Sequence, residues 1–182
     1  MRYSFIRCLT VLSVGLLLLG PALASGQENR PSEYEVKAAF LFNFAKFVQW
    51  PASAVPPGAS PIVIGVLGEN PFHGDLQRTI ENKKVDDHPL VARDLHSASE
   101  AAHCHILFIC ASEAGRLPEI LDQLQGKSVL TVADMDHFTE SGGMIRFVLR
   151  ESRVRFEINN EAARRAKLKI SSKLLALAIR AP

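Results

Sequence analysis

The chain has 182 residues, with 21 Lys+Arg against 19 Asp+Glu. That length allows one domain with a real core and is short for two. Setting aside an N-terminal export segment, which holds two of the basic residues and none of the acids, leaves the charges balanced, with no basic excess to serve as a nucleic-acid footprint.

That segment comes first. Arg2 and Arg7 precede an apolar run from Leu9 to Leu19, Pro21 breaks it, and Ala22-Leu23-Ala24 supplies the small residues that a signal peptidase reads. The run is short of the roughly 20 residues a membrane span needs. Cys8 lies ahead of the apolar core, where it cannot become a lipidated mature N-terminus. The sequence therefore predicts a cleaved signal peptide over 1–24, a mature domain over 25–182, and release into the periplasm as a soluble protein.

Ser32 and Glu35 form a capping box that opens a helix running to about Trp50, where Pro51 stops it. A loop through Pro56-Pro57-Gly58 follows. Ile62 to Leu67 is a short, β-branched apolar run that reads as a buried strand. Asn70-Pro71 predicts a helix to about Asn82, with Asn as N-cap and Pro in the first turn. A weak strand near Leu90 to Ala92 and a short helix near Ala98 to Ala102 come next. His105 to Cys110 is the second clear buried strand. A helix from about Gly115 to Gln125 ends at Gly126, and Val129 to Ala133 is the third strand. Strand and helix in alternation imply right-handed crossovers and a mostly parallel sheet.

After Asp134 the pattern changes. Met144 to Leu149 and Val154 to Ile158 flank a polar turn at Arg150-Glu151-Ser152, and Val154, Phe156 and Ile158 alternate with Arg153, Arg155 and Glu157. This predicts an antiparallel hairpin with one wet face at an edge of the sheet. Helices over Asn160 to about Ala166 and Ser172 to Ile179 close the chain. The first of these ends where a residue with φ > 0 is expected. Lysine stands there, at Lys167, and L-residues adopt that conformation at a cost of about 1 kcal/mol. The fold class is α/β: a single, Rossmann-like domain with a mostly parallel sheet flanked by helices and an antiparallel edge hairpin.

Several segments, taken together, resemble the YfiR family: YEVKAAFLFNFAKFVQWP (34–51), IGVLGENPF (64–72), CHILFI (104–109), VLTV (129–132), GGMIRF (142–147), VRFEIN (154–159) and ISSKLLALA (170–178). The likeness spans nearly all of the mature chain in order and spacing. It implies a periplasmic regulator that restrains a membrane-bound diguanylate cyclase, lowering cyclic di-GMP, or that acts on a similar membrane sensor.

Enzyme chemistry finds little support. His103-Cys104-His105 contains metal-ligand types, but on a strand the two histidines point one way and the cysteine the other. Asp134-Met135-Asp136-His137 lacks the ladder and closing Glu of an EF-hand. Gly65-x-x-Gly68 falls short of the dinucleotide fingerprint, Gly142-Gly143 reads as a turn, and no nucleophile elbow is present. The reading is of a non-enzyme with no cofactor and no metal. Cys104 and Cys110, six residues apart on one strand, would lie about 20 Å apart, beyond the roughly 7 Å that a disulfide allows. Two free thiols are expected.

On a helical projection of the first helix, Val36, Phe47, Phe40, Phe44, Val48, Leu41 and Tyr34 form one apolar arc. Phe42 falls on the far side, among Glu35, Ala38, Lys46 and Gln49, either packed under a loop or left for a partner. Lys37 lies inside the arc, so it either snorkels to the edge or meets a buried carboxylate. Phe42, Lys37 and Trp50 are the candidate partner-binding residues. The basic run Arg164, Arg165, Lys167, Lys169 and Lys173 reads as a solvated face, or as a contact for an acidic partner or anionic lipid.

Two functions from different classes follow. The first is a regulator acting through protein contacts, with a homodimer also possible. The second is a small-ligand-binding sensor module working with another membrane partner. Its crevice would lie at the C-terminal ends of the parallel strands, lined by Gly68, Glu69, Asn70, Ser112 and Asp134.

Overall fold

The structure is a computed structural model and describes residues 31–55, 58 and 60–179. The signal-peptide segment 1–24, like Pro56-Pro57, lies outside the described residues. In chain order the elements are α1 (Glu33–Phe47), β1 (Val48–Gln49), β2 (Ile62–Leu67), α2 (Asp75–Ile80), β3 (Lys84–Val85), β4 (His88–Leu95), α3 (Ala98–Ala101) and β5 (Ile106–Ile109). A 3-10 turn (Ala111–Arg116) follows, then α4 (Leu117–Gln123), β6 (Leu130–Ala133), β7 (Ile145–Arg150), β8 (Arg153–Ile158), α5 (Asn160–Arg165), β9 (Lys169–Ile170) and α6 (Ser172–Leu177).

Seven strands form one mixed sheet in the order β3-β4-β2-β5-β6-β7-β8. The five central strands run parallel, β3 is antiparallel to β4, and β8 is antiparallel to β7. The expected single α/β domain with an edge hairpin is what forms. β2 and β5 are each buried along their full length, which is why both read as unbroken apolar runs. Alternate residues serve opposite faces. Ile62, Ile64 and Val66 join α1, α2, α5 and α6 in one core, while Val63 and Leu67 join α3 and α4 in the other. Phe44 centres the first core, 5.7 Å from the Phe147 ring and 5.3 Å from Phe156. Each buried aromatic or aliphatic side chain there contributes about 1.5–3 kcal/mol of transfer free energy.

The Ser32–Glu35 capping box forms as expected. The end of α1 does not. The helix stops at Phe47, and Val48 and Gln49 pair antiparallel with Ile170 and Lys169. Long-range pairing takes the last turn that local propensity had assigned to the helix.

The predicted helix from Asn70 also begins late. Asn70 Oδ1 accepts the Phe72 N–H at 2.9 Å, which closes a local turn, and His73 and Gly74 follow at φ 48° and 88°. The helix starts at Asp75 because Phe72 must first enter the core, edge-on to Tyr34 at 5.4 Å and Phe108 at 5.0 Å. The weak strand near Leu90 is an eight-residue β4, drawn out by register with all of β2 from Ile62↔Leu90 to Leu67↔Leu95. The helix expected from Gly115 is a 3-10 turn followed by a shorter α4.

Lys167 adopts φ 59°. Its N–H reaches Arg164 O, and Leu168 N–H reaches Ala163 O, both at 2.9 Å. These bonds satisfy the last carbonyls of α5 in the pattern that ordinarily recruits glycine.

Candidate functional site

Two places at the C-terminal edge of the sheet carry the polar residues of interest. The first is the junction of β2 and β5, where the chain's course reverses direction across the sheet and where open α/β sheets usually hold a ligand. Gly68 leaves β2 at φ +98°, and a Cβ on it would lie 2.4 Å from Ser112 Oγ. That oxygen accepts the Glu69 N–H at 2.9 Å. Asn70 turns aside, donating from Nδ2 to Asp94 Oδ1 at 2.6 Å. Gly68, Glu69 and Ser112 are thus brought together as a hydrogen-bonded seam, with Asn70 tied to β4.

Asp134, at the end of β6, belongs to the second place. Its Oδ2 receives Lys37 Nζ at 2.5 Å and the Tyr34 hydroxyl at 3.0 Å. Lys37 also pairs with Glu33 at 2.6 Å and retains 3% of its exposure. Of the two readings for Lys37, the carboxylate partner is the one realised, although Asp134 itself is half-buried. Burial alone lowers the Lys37 pKa, but hydrogen bonds to Asp134 and Glu33 and the charge of Asp134 outweigh it and leave it raised. Burial and the Asp134 charge raise the Tyr34 hydroxyl.

A second charged pair lies alongside. Arg146, on β7, bonds Asp136 at 2.5 Å and reaches its cross-strand partner Glu157 at 3.4 Å. Glu157 is 2% exposed, so the face of β8 expected to be wet is dry at this end. Arg146 lies against it, and Ile179 pairs alongside it. Among the described residues, Arg146 Nε and Glu157 Oε1 are buried without a hydrogen-bond partner. Lys37, Asp134, Arg146 and Glu157 line a cleft of about 380 Å³ between α1, β6 and the β7–β8 hairpin. Neither Arg146 nor Glu157 was a candidate site residue by sequence. Their signal was a cross-strand opposite-charge pair within the hairpin, readable only once the register was known.

The other candidates lie elsewhere. Phe42 is half-buried on the α2 side of α1, with Lys83 Nζ 4.7 Å and Lys46 Nζ 5.5 Å from its ring centroid. Ala38, placed on the same far side by the helical projection, is fully buried, because α2 covers that flank as well as the sheet covering the arc. Trp50 is half-buried and donates from Nε1 to His105 O at 3.2 Å. His105 has a structural role: Nδ1 accepts the Val63 N–H and Nε2 donates to Ala54 O, each at 3.0 Å. Burial lowers its pKa.

Cys104 and Cys110 are free and buried. They serve different cores, on opposite faces of the sheet. Burial pushes their thiols up to about 11 and about 12, so neither is a thiolate nucleophile at neutral pH. Among the described residues no three His, Cys, Asp or Glu side chains form a metal-holding group, and no helix is long and apolar enough to cross a membrane.

The fold is a doubly wound α/β domain whose charged sites are internally paired. The chain belongs to the family described as YfiR/HmsC-like, whose model matches residues 34–179; that family is known for periplasmic regulators in cyclic di-GMP signalling. Among solved structures, a conserved domain protein from Vibrio cholerae O1 biovar El Tor is similar in fold. It has a TM-score of 0.52 and 12% identity, over 82% of this chain and 60% of that one. This chain therefore spans less than two thirds of that protein. No curated protein matches the chain.

Proposed function

We propose that this protein is exported to the periplasm and there restrains a membrane-bound diguanylate cyclase, or a similar membrane sensor, through protein contacts. The observation that carries this reading is membership of the YfiR/HmsC-like family along almost the whole domain. Phe42, midway along α1, and Trp50, just after β1, are the partner-facing candidates, as half-buried aromatics. Lys37 would act from beneath, holding α1 to β6 through Asp134.

The small-ligand reading, with Gly68, Glu69, Asn70, Ser112 and Asp134 as its crevice, requires opening of the Ser112–Glu69 bond and of the Lys37–Asp134 pair. Its supporting observation would be a small molecule that copurifies with the protein. A homodimer would leave the restraint reading intact.

Deleting the gene should raise cyclic di-GMP, and returning the exported protein should lower it. Phe42→Ala should weaken the restraint at matched protein levels, since a central aromatic contact is worth about 2 kcal/mol or more. An unchanged cyclic di-GMP level in the deletion strain would reject the cyclase assignment. Full restraint by a folded Phe42→Ala protein would remove that residue from the interface. N-terminal sequencing should find the mature chain beginning near Ser25, and an intact Met1 would overturn the export reading.

A further inference from the structure

The hairpin outruns the sheet. β6 pairs with β7 only at Val132↔Ile145 and Ala133↔Arg146, whereas β7 continues to Arg150. The Asn159 N–H bonds Met144 O at 2.8 Å, which sets the phase of the antiparallel ladder. Main-chain groups of Arg146, Val148 and Arg150 face β8, and those of Phe147 and Leu149 face the other way. Past the last β6 partner, the Phe147 carbonyl and both main-chain groups of Leu149 therefore face a space that no strand fills among the described residues. That space is the cleft of about 380 Å³ already described. An unpaired edge of this kind is a template for an added strand.

The chemistry around the mouth selects the occupant. Leu149 is 59% exposed, one of two large apolar side chains so exposed among the described residues. Arg150 and Arg153 stand directly opposite each other, and Arg155 is the next residue on the same face. Like charges directly opposite destabilise a hairpin. Among the described residues, none of these three arginines has an ion pair. By contrast Lys37 and Arg146, deeper in the cleft, are each held by two carboxylates.

We propose that the open edge of β7 from Phe147 to Arg150 receives a short extended segment of a protein partner, which continues the line of β6. An acidic residue of that segment answers Arg150, Arg153 and Arg155, and an apolar one covers Leu149. This assignment rests on the restraint reading and gives the restraint a surface.

The test uses the full mature chain. In the deletion strain, the cyclase whose removal abolishes the rise in cyclic di-GMP supplies the probe, its purified periplasmic domain. Arg150→Glu combined with Arg153→Glu should bind that domain at least tenfold more weakly. Leu149→Pro should weaken binding as much, because it deletes an N–H that no ladder uses and so leaves folding intact. Leu177→Gln, an equally exposed leucine away from the cleft, should bind like the parent. Should Leu149→Pro unfold, the double charge reversal decides alone. Binding within twofold of the parent by the charge-reversed chain overturns the proposal, with the restraint reading untouched. A dimer of this chain that charge reversal dissociates, or adsorption to phosphatidylglycerol vesicles that it abolishes, with binding to the cyclase domain unchanged, also overturns it. No rise in cyclic di-GMP on deletion overturns both readings together.

Discussion

The two places at the C-terminal edge of the sheet differ in how their polar groups are spent. At the β2–β5 junction, Gly68, Glu69 and Ser112 are drawn into one tight seam, with the Ser112 oxygen packed against Gly68 and bonded to the Glu69 N–H. At the cleft beside β7, charges are paired at depth while main-chain groups and arginines at the mouth are left over. The position favoured for ligands by topology is thus closed by a hydrogen bond between its own residues, and the open position lies where the strands differ in length. Strand order locates the first, and strand length creates the second.

The largest expected effect that would break this comparison comes from its buried charge. Lys37→Met leaves the half-buried Asp134 with a hydroxyl and no cation, and losing a charge-assisted hydrogen bond of this kind costs about 2–3 kcal/mol. Urea unfolding should show that loss, and an unchanged midpoint would mean the pair is not a fastening of α1 to β6. The raised Lys37 pKa adds a pH signature. Its contribution is fully present below the ordinary lysine value and is lost as pH rises through the raised folded value.

Gly68→Ala tests the seam. A side chain at φ +98° meets both backbone strain and Ser112, and about 2 kcal/mol should be lost. If stability holds and a small molecule then binds nearby, the seam is a closed pocket rather than a filled one.

Lys167→Gly should stabilise by about 1 kcal/mol, read in the same unfolding curves, because it removes a left-handed lysine and keeps the helix-ending bonds. It lies outside both places and calibrates the other two.

The smallest effect at neutral pH is that of His105. Its pKa is lowered by burial, and the neutral ring fits Val63 N–H and Ala54 O. The sign follows: this stability is present above the ordinary histidine value and is lost as pH falls through the lowered folded value. His105→Gln should flatten the acid limb of a melting-temperature profile, and an unaltered limb would assign the acid sensitivity to other groups.

How much of this was legible beforehand varies by element. β2, β5 and β6 were plain because strands buried on both faces are apolar throughout. The capping box was plain because it is local, whereas glycine was expected where Lys167 stands and the lysine itself adopts φ 59°. β4 was faint because its outer half is polar, and only its ladder with β2 makes it a full strand. The α1 projection misjudged Ala38 because a helical wheel assumes one covered face, whereas α2 covers a second. Lys37 left two readings open, since its carboxylate comes from 97 residues away.

The sequence by itself determined the fold class, the core strands and the edge hairpin, because hydrophobic periodicity and turn residues act over a few neighbours. It also carried the family likeness. Only the tertiary structure decided that Asp134 serves Lys37, that Ser112 seals Gly68, and that β7 extends beyond β6. Each of these depends on where two distant segments end relative to one another, a quantity set by packing and register rather than by the composition of either segment.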